Sequence, residues 1–248
     1  MLKERIDILL TERGLADSRT KAQALVMAGV VLVNEKRVEK PSEKVASDAA
    51  IRLKEAATMR YVGRGGLKLE AALTHFEIEP KGWNCLDIGS STGGFTDCLL
   101  QNGVARVVAV DSGTNQLDWR LRSDERVEVR ENTNAREITL AELGGAAFDL
   151  IVMDVSFISA RKILPVFPHL LKPGGQAVVL IKPQFEVGKG EVGEGGIVRE
   201  AEKHERVVNE VNACAESLGF RIKGTIESPI LGAEGNKEFL ACYLLDNA

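Results

Sequence analysis

Four charged residues stand at points of the sequence where secondary-structure elements begin or end. Lys182 ends the apolar run QAVVLIK, and Asp154 ends the run FDLIVMD. Glu238 opens the last apolar run, and Lys68 lies at the start of the helical segment 67–76. Ammonium and carboxylate groups held around one point can orient a hydroxyl group, stabilise the oxyanion that forms from it, or accept its proton. For each residue taken alone, an ordinary ion pair at a strand end is the simpler interpretation.

A second group of candidates surrounds the glycine-rich turn in CLDIGSSTGGFTDCLL. Gly89, Gly93 and Gly94 allow the backbone to turn sharply and to approach a ligand at the N-terminus of the following helix. Asp111 ends the next strand, 22 residues after Gly89. At that position an acidic residue commonly accepts hydrogen bonds from the ribose of an adenosine ligand. Tight packing of the helix on the sheet is the alternative explanation for the glycines, and a helix N-cap is the alternative for Asp111.

Helical segments and apolar runs alternate from residue 67 onward, and these elements must position both groups. Helices are predicted at 67–76, 93–102, 156–171 and 199–218, and strands at 84–88, 106–111, 126–130, 148–154, 176–182, 220–227 and 238–245. Repeated βα units with apolar strands predict an α/β fold with a mostly parallel sheet. Only SPILGAEGN separates the last two strands, too few residues for a crossover helix, so the last strand is predicted to be antiparallel. Ligands of such sheets bind beyond the carboxyl ends of the strands, where the four charged residues should converge.

Composition narrows the class of protein. The chain has 248 residues, of which 44% are hydrophobic and 27% charged, enough for one large domain and one small domain. Its four cysteines form no C-x-x-C motif and its three histidines lack metal-ligand spacing, which favours a reducing, cytoplasmic setting without a metal. The N-terminus alternates charged and apolar residues, unlike a signal peptide, and no apolar run approaches the length of a membrane span. We therefore expect neither secretion nor membrane insertion.

Residues 1–57 are predicted to form a separate small α+β domain, and residues 58–66 a linker. The segment 1–57 carries eleven Lys and Arg against nine Asp and Glu, whereas the rest of the chain carries 21 against 27. A surplus of this size does not indicate nucleic-acid binding by itself. The predicted elements are helices at 5–14 and 18–29, the second capped by Ser18, a hairpin that turns at Asn34-Glu35, and a strand at 49–53.

The pattern R-x-D-x-L-L…GL-x-x-S-R-x-x-A-x-x-L-V-x-x-G-x-V-x-V-N…V…P, over residues 5–41, resembles the S4-like RNA-binding domain. The resemblance implies that the second helix and the hairpin present cations to structured RNA. The implied phosphate contacts are Arg5, Arg19, Lys21, Lys36, Arg37 and Lys40. Outside this domain, Arg64 and Lys189 are added to the RNA-binding set. A small domain with solvated surface cations remains the alternative for any one of these residues.

The glycine-rich turn, Asp87, Asp111 and the order of seven strands resemble the S-adenosylmethionine-dependent methyltransferases, which have a Rossmann-like seven-stranded fold with an antiparallel last strand. This resemblance implies that the loop 89–95 faces the amino-acid part of the cofactor and that Asp111 holds its ribose. It also places residues 132–134 beside the adenine. The implied cofactor contacts are Asp87, Gly89, Ser90, Ser91, Thr92, Gly93, Gly94, Phe95, Asp111, Asn132, Thr133, Asn134 and Asp154, with no metal ion.

Lys68 in GRGGLKL, Asp154 in VMDVSF, Lys182 in IKPQFEVGKG and Glu238 in NKEF match the K-D-K-E tetrad of the FtsJ-like RNA 2′-O-methyltransferases. With the S4-like domain in front, the whole chain is similar to the TlyA-type (haemolysin A-like) ribosomal RNA methyltransferases. The resemblance implies methyl transfer from S-adenosylmethionine to the ribose 2′-hydroxyl of cytidines in ribosomal RNA, and ribosomal RNA or ribosomal subunits as partners. One departure is the linker, which reads MRYV where relatives commonly have Arg first and Trp third.

The tetrad leaves two mechanisms open. Lys182 either accepts the proton of the ribose hydroxyl or, as an ammonium, stabilises the alkoxide that forms. A free lysine has a pKa of about 10.4, so a basic role requires burial or a neighbouring cation such as Lys68. The glycine-rich stretch GEVGEGGIVRE, residues 190–200, is predicted to be a mobile lid that touches RNA through Lys189 and Arg199. A disordered connector agrees equally well with its composition.

Two further classes of function stay open on sequence alone. A non-catalytic RNA-binding or ribosome-associated protein could keep this fold, although the complete tetrad and glycine loop argue against it. A membrane-damaging protein is suggested by the haemolysin label of the family. No cationic amphipathic helix and no long apolar run in the sequence supports lysis.

Overall fold

The computed structural model describes residues 3–16, 18–27, 30–53, 60–188, 190–232 and 235–246. Contacts between Cα atoms divide the chain into two compact units, Met1–Arg60 and Tyr61–Ala248. Each unit has its own hydrophobic core.

The described residues of the first unit form two helices and five short strands. The elements are β1 (Lys3–Arg5), α1 (Ile6–Glu12), α2 (Arg19–Met27), β2 (Val31–Val33), β3 (Lys36–Arg37), β4 (Lys44–Ala46) and β5 (Ile51–Leu53). Strands β3, β2 and β5 form one antiparallel sheet, and β1 pairs with β4 in a second. The sequence predicted neither β1 nor β4, which have three residues each and too little apolar alternation to detect.

Local sequence explains two features of this unit. Asn34 and Glu35 both have positive φ, 48° and 65°, as a two-residue turn between β2 and β3 requires. This confirms the predicted hairpin. Ser18 accepts a hydrogen bond from the Lys21 backbone N–H (3.2 Å) and so caps α2, as predicted. Gly29, where that helix was predicted to end, lies outside the described residues.

The second unit is built on a seven-stranded sheet. Its strands are β6 (Asn84–Ile88), β7 (Arg106–Val110), β8 (Val127–Arg130), β9 (Phe148–Met153), β10 (Leu171–Ile181), β11 (Phe220–Glu227) and β12 (Phe239–Leu245). Their order is β11-β12-β10-β9-β6-β7-β8. All pairs are parallel except those of β12, which is antiparallel to both β10 and β11. The predicted α/β fold with an antiparallel last strand is confirmed.

Helices cover both faces of this sheet. They are α3 (Gly65–His75), α4 (Gly94–Gln101), α5 (Trp119–Arg122), α6 (Phe167–Leu170), α7 (Pro183–Glu186) and α8 (Ala201–Ser217). Successive strand residues point to opposite faces, so Leu86 and Ile88 join the core on one side and Cys85 joins the core on the other. Burial on both faces explains why the central strands are mostly apolar.

One predicted helix is wrong. The segment 156–171 contains only two 3₁₀ turns, Ala160–Lys162 and Leu164–Val166, and the single turn of α6. Pro165 and Pro168 lack the N–H groups that a continuous helix needs, which accounts for the interruption. Strand β10 then begins at Leu171, five residues before the predicted start at 176, with an irregular register between Leu171 and Gln176.

Residues 61–66, which the sequence assigned to a linker, belong to the second unit. Tyr61 is 3% exposed and lies in the hydrophobic core beside α3 and α4. A Cβ atom on Gly66 would lie 2.2 Å from Tyr61 Cγ, so the glycine allows this ring to pack against the first turn of α3.

Among the described residues, no helix combines the length and the apolar composition that crossing a membrane requires.

Candidate active site

Strand register brings Lys182 and Asp154 together. Val179 of β10 lies opposite Met153 of β9, so the residues that follow the two strands meet at the same edge of the sheet. Lys182 Nζ lies 2.6 Å from Asp154 Oδ1 and donates a hydrogen bond to Ser156 Oγ (2.9 Å). The side chains of the lysine and the aspartate are 11% and 21% exposed. The result is a largely buried ion pair whose ammonium has two protein acceptors.

Lys68 and Glu238 form a second, more deeply buried ion pair. Glu238 precedes β12, whose first residue Phe239 pairs with Ile181, so the antiparallel strand begins beside Lys182. Lys68 Nζ lies 2.5 Å from Glu238 Oε2, and the two side chains are 10% and 2% exposed. The four predicted residues are therefore arranged as two separate ion pairs, each with one lysine and one carboxylate.

The two ion pairs border one cavity of about 380 Å³. Lys68, Lys182 and Glu238 line it together with Phe157, Phe185 and Asn236. The Phe157 and Phe185 rings are 5.3 Å apart between centroids, and Lys182 Nζ lies 6.0 Å from the centroid of the Phe185 ring. We call this space, defined by those six residues, the acceptor cavity.

A larger cavity of about 450 Å³ has Asp154 in its wall. Its walls include Gly89, Ser91, Asp111, Thr133, Asn134 and Asp154. A smaller adjoining space contains Ser90, Thr92, Gly94, Phe95, Arg64 and Lys182. We call the two spaces together the cofactor cavity. Asp87, Gly93 and Asn132, which the sequence also assigned to the cofactor, are not among the residues that line either space.

The glycine-rich turn has the backbone conformation that only glycine adopts easily. Gly89 has φ 84°, and a Cβ atom there would lie 2.3 Å from the Asp154 carbonyl oxygen. Gly93 has φ 100°, and its Cβ atom would lie 2.2 Å from Leu121 Cδ1. Asp154, which a side chain at position 89 would contact, is the residue that pairs with Lys182. Side chains at these positions would therefore push the turn away from the end of β9 and change the shape of the cofactor cavity.

Asp111 is anchored by the backbone around it. Its Oδ2 accepts a hydrogen bond from the Ser91 N–H (2.8 Å), and its Oδ1 accepts one from the Gly113 N–H (2.7 Å). Each carboxylate oxygen can accept more than one hydrogen bond. Asp111 can therefore hold the glycine-rich turn and still accept hydrogen bonds from hydroxyl groups of a ligand in the cavity.

Asp87 is completely buried on β6. Its Oδ2 accepts a hydrogen bond from Thr96 Oγ1 (2.6 Å), while Oδ1 has no partner among the described residues. Burial, the largest cause, raises the pKa of Asp87 to about 7. The carboxyl group, two residues before the glycine-rich turn, therefore changes its charge close to neutral pH.

The predicted RNA contacts occupy two different environments. Arg5 donates to both oxygens of the buried Asp7 (2.9 Å each), and Arg19 Nε donates to Asp7 Oδ2 (3.1 Å). The hydrogen bonds from Arg5 hold the pKa of Asp7 well below its usual range. Exposed side chains carry the other predicted contacts, at Lys21, Lys36, Arg37, Lys40 and Arg64. Lys189 lies outside the described residues.

The glycine-rich stretch 190–200 is fastened at its C-terminal part. The buried Asn236 donates to the Gly196 carbonyl (2.9 Å) and accepts from the Val198 N–H (3.0 Å). His204 Nε2 is hydrogen-bonded to the Val198 carbonyl (2.8 Å). Sequence reasoning missed Ser156 and Asn236, although each stands two residues from a member of the tetrad. Arg199, at the end of the stretch, is exposed.

Comparison with known proteins gives two family matches and several close relatives. Residues 61–244 match the model of the FtsJ-like methyltransferases, and residues 4–51 match the S4 domain. A Mycobacterium tuberculosis protein named 16S/23S rRNA (cytidine-2′-O)-methyltransferase TlyA is 44% identical over 237 residues, 96% of this chain and 88% of that protein. Hemolysin A of Brachyspira hyodysenteriae is 41% identical, over 97% of this chain and 100% of that protein. A solved structure from Streptococcus thermophilus has 46% identity and a TM-score of 0.77, over 100% of this chain and 90% of that one.

Proposed function

The chain belongs to the FtsJ-like methyltransferases with a preceding S4 domain, and from this we propose that it is a ribosomal RNA 2′-O-methyltransferase. Its methyl donor is S-adenosylmethionine, and its acceptor is the ribose 2′-hydroxyl of a cytidine. The TlyA protein of Mycobacterium tuberculosis, whose name states that acceptor, supports the assignment at 44% identity.

A single feature carries this proposal. The Lys182–Asp154 ion pair lies between two cavities, because Asp154 lines the cofactor cavity and Lys182 lines both. The pair is therefore placed to act on a group that is transferred from a ligand in one cavity to a ligand in the other. Methyl transfer by in-line attack requires that arrangement of donor and acceptor.

The residues of the cofactor cavity are suited to S-adenosylmethionine. Gly89 lines the cavity, and its positive φ lets the glycine-rich turn pass close to Asp154, so that the backbone of the turn forms one wall of the site. Asp111 would hold the ribose hydroxyls, and Thr133 and Asn134 would lie beside the adenine.

The acceptor chemistry follows from the Lys182 contacts. The bound cofactor supplies an activated methyl group, so the protein has to position the ribose hydroxyl and manage its negative charge. Lys182 donates one N–H to Asp154 and one to Ser156, which leaves its third N–H for the hydroxyl oxygen. Because Lys182 donates to two protein acceptors and can donate to a third, the geometry favours stabilisation of the developing alkoxide over direct acceptance of a proton.

The second ion pair has a supporting role. Lys68 and Glu238 line the acceptor cavity and are bound to each other at 2.5 Å. Their remaining donors and acceptors can hold the other ribose hydroxyl and phosphate oxygens of the acceptor nucleotide. Because both groups are buried and paired, they provide a rigid wall against which the ribose can be oriented.

RNA recognition is assigned to residues 1–57. Lys36 and Arg37 on β3, with Lys21 and Lys40, present exposed cations of the kind that contact phosphates. The match of residues 4–51 to the S4 domain supports this assignment. The proposed partners are ribosomal RNA or ribosomal subunits, and we place the activity in the cytoplasm, where these occur.

The experiment is methyl transfer with purified protein, ribosomal subunits and tritiated S-adenosylmethionine, followed by mapping of 2′-O-methylated nucleotides. We expect label in ribosomal RNA at a cytidine, and none with the Lys182→Ala variant. Binding of ribosomal RNA without incorporation of label would instead support the non-catalytic alternative. Incorporation at a base atom would reject the assigned acceptor.

Membrane damage is the second candidate, because a relative at 41% identity is named Hemolysin A. If this chain damages membranes, it should release an enclosed dye from lipid vesicles. A leakage assay with purified protein on vesicles of neutral and anionic lipid tests this directly. We expect no release at concentrations that give full methyl transfer.

A further inference from the structure

We propose that Glu186 is a positioning residue that holds the Asp154 loop against Lys182, an inference that depends on the proposed methyl transfer. Glu186 ends α7, the four-residue helix that begins directly after Lys182. The Asp154 loop is defined here as residues 154–160, which follow β9. The loop carries two groups bonded to Lys182, namely Asp154 and Ser156.

The Glu186 carboxylate is bound to the far end of the Asp154 loop. Its side chain is 2% exposed. Oε2 accepts a hydrogen bond from Ser159 Oγ (2.6 Å), and Oε1 accepts one from the Ala160 N–H (2.5 Å). Arg161 Nε also donates to Oε2 (3.2 Å) and provides the neutralising charge. Such a buried carboxylate fixes the groups around it, because leaving any of these donors unpaired is unfavourable.

The near end of the loop is fixed in a different way. The Asp154 N–H donates to the Ile88 carbonyl (2.9 Å), so this end belongs to the sheet. Between the two anchors the backbone is strained, since Phe157 has φ 64°, an unusual value for a bulky residue, and a side chain that is 92% exposed. A strained conformation persists only where its surroundings hold it. Glu186 supplies that restraint at the end remote from the sheet.

The consequence for catalysis is geometric. Lys182 and Glu186 are four residues apart, on the same short segment, and the Asp154 loop is bonded to both. Releasing Ser159 and Ala160 would allow Ser156 and Asp154 to move relative to the Lys182 ammonium. Small displacements of this kind lower turnover more than they lower ligand affinity, because the transition state requires the closer alignment.

The test is Glu186→Gln, which keeps the size of the side chain but removes its charge and turns one acceptor into a donor. We expect kcat for methylation of ribosomal subunits to fall roughly 10- to 100-fold, as is typical when a residue that orients a catalytic group is changed. The KM for S-adenosylmethionine should change by a smaller factor than kcat, since residues 154–158 of the loop line the cofactor cavity but Gly89, Ser91 and Asp111 line it as well. Ser159→Ala removes one of the three hydrogen bonds and should give a smaller loss of the same kind.

Glu210→Gln is the matched control. Glu210 is bonded to the same arginine, through Arg161 Nη1 (2.9 Å), but lies on α8 and has no hydrogen bond to the Asp154 loop. This variant should keep kcat within about twofold of the wild type. If Glu210→Gln loses as much turnover as Glu186→Gln, the effect belongs to Arg161 and the inference is wrong.

Amide hydrogen exchange gives a readout that does not depend on activity. In Glu186→Gln, we expect the Ala160 N–H to exchange at least tenfold faster, with amides of β9 unchanged. Unchanged exchange at Ala160, or equal loss of kcat and cofactor affinity, would overturn the positioning role. A wild-type protein without methyltransferase activity would reject the proposed function, while the exchange result would still decide whether Glu186 holds the loop.

Discussion

Two lysine–aspartate ion pairs join the same two strands, one at each end. Lys172 Nζ lies 2.7 Å from Asp149 Oδ1 near the amino ends of β10 and β9, and Lys182 Nζ lies 2.6 Å from Asp154 Oδ1 beyond their carboxyl ends. The lysine side chains differ in exposure, 48% for Lys172 and 11% for Lys182. The two pairs have the same residue types, nearly the same Nζ–Oδ1 distance and the same two strands, so they differ mainly in their location in the fold.

The difference shows what makes an ion pair a candidate for catalysis. The carboxyl ends of the parallel strands meet the glycine-rich turn and both cavities, whereas Lys172, near the amino ends, does not line either cavity. An exposed pair such as Lys172–Asp149 contributes at most about 1 kcal/mol to stability. The Lys182–Asp154 pair is removed from water by its surroundings, which strengthens the effect of its charges on a bound ligand.

The first prediction tests the comparison directly with Lys182→Ala and Lys172→Ala. We expect Lys182→Ala to lower kcat roughly 1,000-fold, about 4 kcal/mol, since it removes a charged donor from the acceptor oxygen. Lys172→Ala should lower it less than twofold. Lys172→Ala should bind S-adenosylhomocysteine with wild-type affinity in calorimetric titration, and Lys182→Ala with an affinity close to it. Lys182 lines only the smaller part of the cofactor cavity, whereas the glycine-rich turn and Asp111 line the larger part.

Lys182→Arg sharpens this result. A guanidinium keeps the charge but places it in a planar fork, so it cannot donate to Asp154, Ser156 and the hydroxyl as an ammonium does. We expect it to be nearly as inactive as the alanine variant. Equal turnover of Lys182→Ala and Lys172→Ala would show that the ion pair at the carboxyl ends of the strands has no special role in catalysis.

The second prediction concerns the buried Lys68–Glu238 pair. Lys68→Met leaves the Glu238 carboxylate buried without its counter-charge, which should lower the free energy of unfolding by about 3 kcal/mol. The double variant Lys68→Met/Glu238→Gln should recover part of this loss, since no unpaired charge remains. Urea denaturation of the full chain measures both. A single variant as stable as the double variant would show that the pair is not desolvated.

How far the sequence predicts this site depends on the kind of information required. Charged residues at the ends of apolar runs are visible in the sequence, and strand order then places them at one edge. The Lys182, Asp154, Lys68 and Glu238 side chains do meet there. Which lysine pairs with which carboxylate follows from the register of β12 on β10, and that register is a tertiary contact.

The features that the sequence prediction missed, the interruption of helix 156–171 and the contacts of Glu186 and Asn236, also have physical causes. The interruption of helix 156–171 could have been read from Pro165 and Pro168, because proline breaks the hydrogen-bond pattern of a helix. Glu186 and Asn236 could not have been found this way. Their side chains bond to backbone groups 26 and 40 residues away, and no local pattern marks such contacts.

The third prediction uses the pH dependence of Asp87. Its pKa in the folded protein, about 7, lies above the ordinary value of 3.8, so the folded state keeps a proton that the unfolded state releases. The resulting stability is fully present below pH 3.8 and is lost as the pH rises through about 7. Asp87→Asn stays neutral and avoids this loss.

Calorimetric melting at several pH values tests this assignment. Between pH 5 and pH 8 the wild type should lose on the order of 2 kcal/mol of stability relative to Asp87→Asn. Parallel melting curves across this range would show that Asp87 titrates normally.

The fourth prediction moves to the cofactor cavity. Asp111→Ala should lower the affinity for S-adenosylhomocysteine at least tenfold, because a carboxylate that accepts from ligand hydroxyls contributes about 1.5–3 kcal/mol per hydrogen bond. Ser91 and Gly113 also lose their acceptor in this variant. Lys182→Ala should be titrated in parallel. The affinity for S-adenosylhomocysteine should fall in Asp111→Ala and stay close to the wild-type value in Lys182→Ala.

The smallest expected effect concerns the exposed cations of the first unit. Lys36 and Arg37 lie on β3 without the buried carboxylate partner that Arg5 has in Asp7, so their charges are open to phosphates. Lys36→Gln and Arg37→Gln each remove one cation, and each should flatten the slope of log affinity for ribosomal RNA against log salt by roughly 0.7–0.9. Lys172→Gln, which removes an equally exposed lysine outside the predicted RNA-binding set, should leave the slope unchanged. If all three variants flatten it equally, the RNA attraction is a property of net charge, and the S4 domain has no special share in it.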